Sequence, residues 1–103
     1  MAYAVLLTSL PDRAAAKAMA EKLIAKRLVA CVQMVPIESV YEWQGTVEEA
    51  AEILLLCKMK REDYAEAEKL ILAQHPYETP EVVLLPIEAG SSAYLAWIDK
   101  VTK

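Results

Sequence analysis

Residues 28–60 read LVACVQMVPIESVYEWQGTVEEAAEILLLCKMK, and the fold turns on them. Leu28 to Trp43 is rich in Val and Ile and carries Tyr and Trp, and Thr46 to Lys60 continues as a second extended run, which suits a pleated, half-buried ribbon. Only Gln44-Gly45 separates them, and a two-residue loop with glycine second is a hairpin signal. Counting outward from that turn puts Cys31 opposite Lys58. Each arm has roughly 14 residues and is therefore about 45 Å long at ~3.3 Å per residue. A domain of this size has a radius of gyration of only ~13 Å, so the tip must project. A projecting ribbon that carries Val40, Tyr41, Trp43 and Val47 is adhesive on its own, and the simplest remedy is a partner subunit. Tyr41 and Trp43, apolar bodies with polar tips, are the expected interface residues. Pro36 marks a bulge or an edge site.

The flanks supply the remaining elements. Tyr3 to Thr8 reads as a strand. Asp12 is the expected N-cap of a helix with Ala16, Met19, Ala20 and Leu23 on one stripe, ending near Arg27. Glu62 to Gln74 is a second helix, which the proline at 76 ends. Val82 to Ile87 is a fourth strand, and Gly90-Ser91-Ser92 caps a last helix with Tyr94, Trp97, Ile98 and Val101 as its stripe. The order βαββαβ plus a C-terminal helix is the pattern of an α+β, ferredoxin-like sandwich, with helices on one sheet face. The other face is left apolar for assembly. Residues 1–103 form one domain.

The totals bound the function. Hydrophobic residues make up 56% of the chain and charged ones 25%, above the usual ~45–50% apolar share, so some apolar surface is expected to meet another chain. A net charge of −4 without a Lys/Arg cluster argues against nucleic acid. No stretch approaches the ~18 apolar residues of a membrane span, and the N-terminus lacks the charged region of a signal peptide. The expectation is a cytoplasmic protein with reduced thiols.

His75-Pro76-Tyr77-Glu78-Thr79-Pro80-Glu81 holds the single histidine. Two prolines stiffen it, and rigid polar connectors are where sites tend to sit. It reads either as a binding loop or as a well-tied turn. Cys31 and Cys57 lie within apolar strands, where a thiol is usually a small hydrophobe. Lys58 across the ladder would favour a thiolate at Cys31. Glu48, Glu49 and Glu52 bind a hard cation or, more commonly, keep an exposed ribbon soluble. No Gly-rich phosphate loop, HExxH or CxxC is present, and no acid–base pair signals a reaction, so the chain is not read as an enzyme.

Taken in order, Leu28-Val29-Ala30-Cys31-Val32, Ser39-Val40-Tyr41-Glu42-Trp43-Gln44-Gly45, Leu55 to Lys58, His75 to Glu81, Pro86-Ile87 and Tyr94-Leu95-Ala96-Trp97 resemble the CutA divalent-cation tolerance family. The resemblance implies a ferredoxin-like subunit in a homotrimer, with hairpins pairing between subunits. It also implies tolerance of copper and other divalent cations. On that basis His75 is the expected imidazole donor and Cys31 the thiolate, for weakly held copper(II) or another divalent metal. Lys58, Tyr77, Glu78 and Glu81 are the expected cleft lining. Some members carry Cys and His where this chain has Leu7 and Gln74, so His75 is what remains of that fuller set, with Cys31 or a neighbouring copy contributing. The subunit also resembles the trimeric PII signalling proteins. The alternative is therefore a sensor that binds a small anionic ligand or a partner protein in the inter-subunit cleft, through Lys58 and the 75–81 loop.

Overall fold

The structure, a computed structural model, describes residues 2–103. Strand β1 (Tyr3–Leu10) leads into helix α1 (Arg13–Ala25), and the hairpin β2 (Cys31–Trp43) and β3 (Thr46–Lys60) follows. A single 3-10 turn (Arg61–Asp63) opens α2 (Tyr64–Gln74), and β4 (Val83–Ile87) and α3 (Ser92–Val101) complete the chain. The sheet order is β2-β3-β1-β4, with each neighbouring pair antiparallel. This is the ferredoxin-like arrangement that the element order predicts.

The turn sets the register. Gln44 and Gly45 both adopt left-handed backbone, with φ of 51° and 84°, as the tightest hairpin turn requires. The Glu42 carboxylate accepts from the Gly45 N–H at 2.6 Å. From Trp43↔Thr46 the ladder runs unbroken to Cys31↔Lys58. Pro36 sits inside that ladder opposite Ile53, so no bulge forms there. It is tolerated because β2 is an edge strand.

Alternation then sorts the side chains. Leu6, Leu10, Leu55, Cys57 and Met59 face α1 and α2 and pack with Ala16, Met19, Leu23, Ala67 and Ile71 in the core. Asp12 caps α1 by accepting from the Ala15 N–H at 2.8 Å. The helix closes with Leu28 N–H on the Leu23 carbonyl and Arg27 N–H on that of Ile24, which places Arg27 at φ 57°. The Arg27 guanidinium reaches past its own helix to the carbonyls of Lys100, Val101 and Thr102. It therefore ties the end of α3 to the end of α1. Ser91 caps α3 as the sequence predicts.

β1 pairs only with Ile53–Lys60 of β3. Beyond that point the hairpin continues alone and spans the long dimension of a molecule measuring 45 × 25 × 21 Å. Val40 and Val47 near its tip are 67% and 72% exposed, and Val83 and Leu85 on β4 are also left open to solvent.

Asp63 is buried at the start of α2, and its Oδ2 has no hydrogen-bond partner. Burial lifts its carboxyl above the ordinary value of 3.8, although the Lys60 charge pulls the other way. A carboxyl with a raised folded value holds its proton better in the folded chain than in the unfolded one. Stability therefore falls as pH climbs from 3.8 through the folded value, and the loss persists at neutral pH. Asp63→Asn should raise the thermal midpoint at pH 7, with the gain vanishing in acid below that window. A pH series of melting curves checks it, and an unchanged or lowered midpoint at pH 7 contradicts it.

Candidate functional site

The loop after α2 is fastened from both sides of one imidazole. The Tyr77 N–H donates to Nδ1 of His75 at 3.1 Å. Nδ1 is thus the acceptor nitrogen, and Nε2 carries the proton. That N–H donates to the Ser9 carbonyl at 2.8 Å. The Tyr77 ring stands 4.8 Å from the imidazole, centroid to centroid. Its hydroxyl crosses to Glu52 on β3, donating to Oε2 at 2.8 Å. The Ser9 hydroxyl donates more weakly to the same oxygen at 3.4 Å. His75, Ser9, Tyr77 and Glu52 thus make one clasp that ties the loop to the end of β1 and to the free part of the hairpin. Burial, and then the bond to Glu52, push the Tyr77 hydroxyl well above the ordinary phenol value of 10.0.

The clasp borders a cleft of about 730 Å³ between loop and hairpin. Ser39, Val40, Tyr41 and Trp43 come from β2, Ser9 from β1, Glu52 from β3, and Pro76 to Thr79 with Glu81 from the loop. Tyr77, Glu78 and Glu81 stand on the wall of this cleft. Tyr41 and Trp43, expected at a subunit interface, also line it and are half exposed.

Two expected residues do not. Lys58 pairs with Cys31 on one side and Val5 on the other. The His75 ring sits on Ser9, four residues further along β1, which is roughly 13 Å at ~3.3 Å per residue before any sideways offset. Within one chain Cys31 and His75 therefore stand at opposite ends of the sheet. Lys58 does not line this cleft of the single chain. Its ammonium donates to Gln33 at 2.8 Å and lies 6.0 Å from the Tyr94 ring centroid on α3. Both nitrogens of His75 are engaged in hydrogen bonds. Cys57 is a core residue whose thiol burial pushes up to about 12, with the Cys31 charge adding to the effect. Consecutive strand residues point to opposite faces, so Cys31, paired with Lys58, faces away from Cys57, and both thiols are free.

Glu52 and Ser9 are the residues that sequence reading misses. Glu52 reads as ribbon solubilisation, yet it is 9% exposed. The hairpin count held the signal: Glu52 falls on the face of Lys58, one residue beyond the Leu10↔Ile53 pair that ends β1. Among the described residues, no three His, Cys, Asp or Glu side chains converge as a metal cage.

The fold and this loop define a ferredoxin-like domain with a projecting hairpin and a carboxylate-bearing cleft at its root. Residues 4–101 match the family model for the CutA1 divalent ion tolerance protein, and the chain belongs to that family. The crystal structure of CutA1 from Oryza sativa superimposes with a TM-score of 0.97 at 38% identity, covering 100% of this chain and 95% of that one. The divalent cation tolerance protein from Thermus thermophilus gives 0.94 at 39% identity, covering 98% and 99%. Protein CutA of Mus musculus is 39% identical over 90% of this chain and 53% of its own length. The chain thus spans about half the length of the mouse, human and Arabidopsis proteins it matches. The names describe tolerance of divalent cations and no reaction.

Tyr77→Phe leaves the buried Glu52 with only the long Ser9 bond. The substitution should cost about 1–3 kcal/mol, the range for stranding a buried partner. Urea denaturation at pH 7 measures the loss, and a loss under ~0.5 kcal/mol would remove the clasp from the account of the loop.

Proposed function

We propose that the protein serves divalent-cation tolerance by holding divalent cations weakly, copper(II) foremost, as a homotrimer. The observation that carries this is the cleft of Glu52, Glu78 and Glu81 beside His75, in a chain of the divalent-ion tolerance family. Imidazole suits copper, and carboxylate favours harder cations. Loading the metal on His75 releases the Tyr77 N–H from Nδ1 or the Ser9 carbonyl from Nε2. Each such bond is worth about 0.5–1.5 kcal/mol net, which lowers the affinity and accounts for a weak hold. Cys31 joins the site only as a donor from a neighbouring copy. The open apolar side chains of the hairpin tip and of β4, at the two edges of the sheet, support assembly, since exposed apolar surface of this kind marks interaction sites. A cytoplasmic location belongs to the same proposal and is checked by fractionating cells.

A sensor that takes a small ligand is the second reading, favoured by the size of the cleft. An anionic ligand there finds carboxylates facing it and Lys58 at the far end of the sheet.

Copper titration of the reduced protein should show saturable binding that His75→Ala weakens at least ten-fold, with sedimentation giving the mass of three chains. Cys31→Ser should weaken it only in the assembled state. Binding unchanged in both variants, or a monomeric mass, would falsify the respective half of the proposal.

A further inference from the structure

We propose that Lys60 is a two-position latch: it fastens the residues after α3 while Asp63 holds its proton, and it leaves them for the Asp63 carboxylate once that proton is lost. In the fastened position the Lys60 ammonium donates to the backbone oxygen of Lys103. The Lys103 N–H donates to the Arg27 carbonyl at 3.0 Å, and the Lys103 ammonium meets Glu66 of α2 at 2.5 Å. Thr102 turns back on α3, its hydroxyl donating to the Ile98 carbonyl at 2.7 Å. Thr102 and Lys103 thus form a strap across the ends of α1, β3 and α2, and one ammonium from β3 holds it.

Both groups that the latch needs are sealed from solvent. Lys60 is 7% exposed and Asp63 8%, and Oδ2 of Asp63 is enclosed without a hydrogen-bond partner. A buried ammonium without an acceptor and a buried carboxylate without a donor are each strongly disfavoured, so both must be answered from within. Among the described residues the side-chain ion pair is Lys103–Glu66. The Lys60 ammonium therefore stands off the Asp63 carboxyl and reaches it by moving away from the Lys103 oxygen. The exchange trades a neutral acceptor for an ionised one, and charge-assisted hydrogen bonds are the stronger kind.

The charges around Asp63 single out Lys60. It acts on Asp63 most strongly, followed by Glu62 of the 3-10 turn, Lys103 of the strap and Glu66 of α2. The two glutamates repel a carboxylate at 63, and Lys103 is already taken by Glu66. Lys60 is thus the cation left to answer Asp63 when it ionises. Burial keeps the proton on above the ordinary value of 3.8, which sets the exchange on the alkaline side of that value. Below the folded value Lys60 stays on Lys103 and the strap is closed, and above it the strap is free. Arg27 still reaches the carbonyls of Lys100, Val101 and Thr102, so α3 stays docked in both states.

A pH series of NMR spectra and amide exchange on the whole protein tests this, each exchange rate being corrected for the intrinsic pH dependence of its amide. As Asp63 ionises, followed at its carboxyl carbon, protection of the Lys103 N–H should fall about three- to ten-fold, the range for one hydrogen bond. The Leu28 N–H, which closes α1 on the Leu23 carbonyl, should keep its protection and serves as the reference. The Lys60 Cε resonance should shift with the same midpoint as Asp63. Asp63→Asn, neutral at every pH, should hold the Lys103 amide at its acid-side protection throughout. Lys60→Met, which keeps the stem and removes the ammonium, should leave that protection low at both ends of the series. The thermal midpoint does not serve here, because relief of the buried charge raises it with or without a latch. Lys103 protection that ignores the Asp63 titration, or that falls equally in Asp63→Asn, overturns the proposal. So does a Lys60 resonance that stays constant while Asp63 ionises, a result read on the unaltered chain and therefore independent of how either variant folds.

Discussion

The left-handed pair Gln44-Gly45 is the constraint from which the rest follows. Strand side chains alternate with a period of two, so a slip of one residue in the hairpin would turn every β3 side chain to the other face. The turn forbids that slip by fixing Trp43 opposite Thr46. Leu55, Cys57 and Met59 are then committed to the helices, and Glu52 and Lys58 to the opposite face. Burying Cys57 rather than Lys58 is what makes the register selective, because an uncompensated ammonium in that core would be far more expensive than a thiol. One turn thus decides both which residues make the core and which are left for chemistry.

The same register produces the cleft. The hairpin outruns β1 at the Leu10↔Ile53 pair, which leaves β3 residues from Glu52 outward without a neighbour on that side. A bay opens there, and the loop after α2 fills its far wall. Two prolines limit how that loop can move, and the His75 ring pins it through one bond on each nitrogen. His75 is in this sense a fastener. Its neutral Nε2–H tautomer satisfies a carbonyl of β1 while its other nitrogen satisfies the N–H of Tyr77, so the imidazole supports the very residue that reaches Glu52.

Legibility in the sequence follows the range of the physics. The hairpin and its register were legible because a short-range turn signal fixes them, as were the caps at Asp12 and Ser91. The ferredoxin-like sandwich follows from the element order. Strand ends were less sharp: β2 begins at Cys31 and not at Leu28, and β4 at Val83 and not at Val82. The site was legible only in part. Tyr77, Glu78 and Glu81 were found because they share one loop with His75. Glu52 and Ser9 escaped because their role depends on where β1 stops, which is tertiary information. For Cys31 and Lys58 the count along the hairpin gives their mutual pairing, but nothing in it gives their distance from a loop 17 residues further on.

Cation recruitment at this cleft divides into two physical modes with different demands on the protein. Direct ligation by His75 needs a nitrogen freed from Tyr77 or Ser9, so it competes with the clasp that shapes the wall. Attraction by the carboxylates needs no such release, because Glu78 and Glu81 are exposed. The first mode loosens the loop as the ion arrives, whereas the second leaves it fastened. A cation held by the carboxylates and rings is therefore compatible with a rigid cleft, and a metal on the imidazole is not. Loop order, followed through the Tyr77 N–H, thus distinguishes the modes even where the affinities are similar.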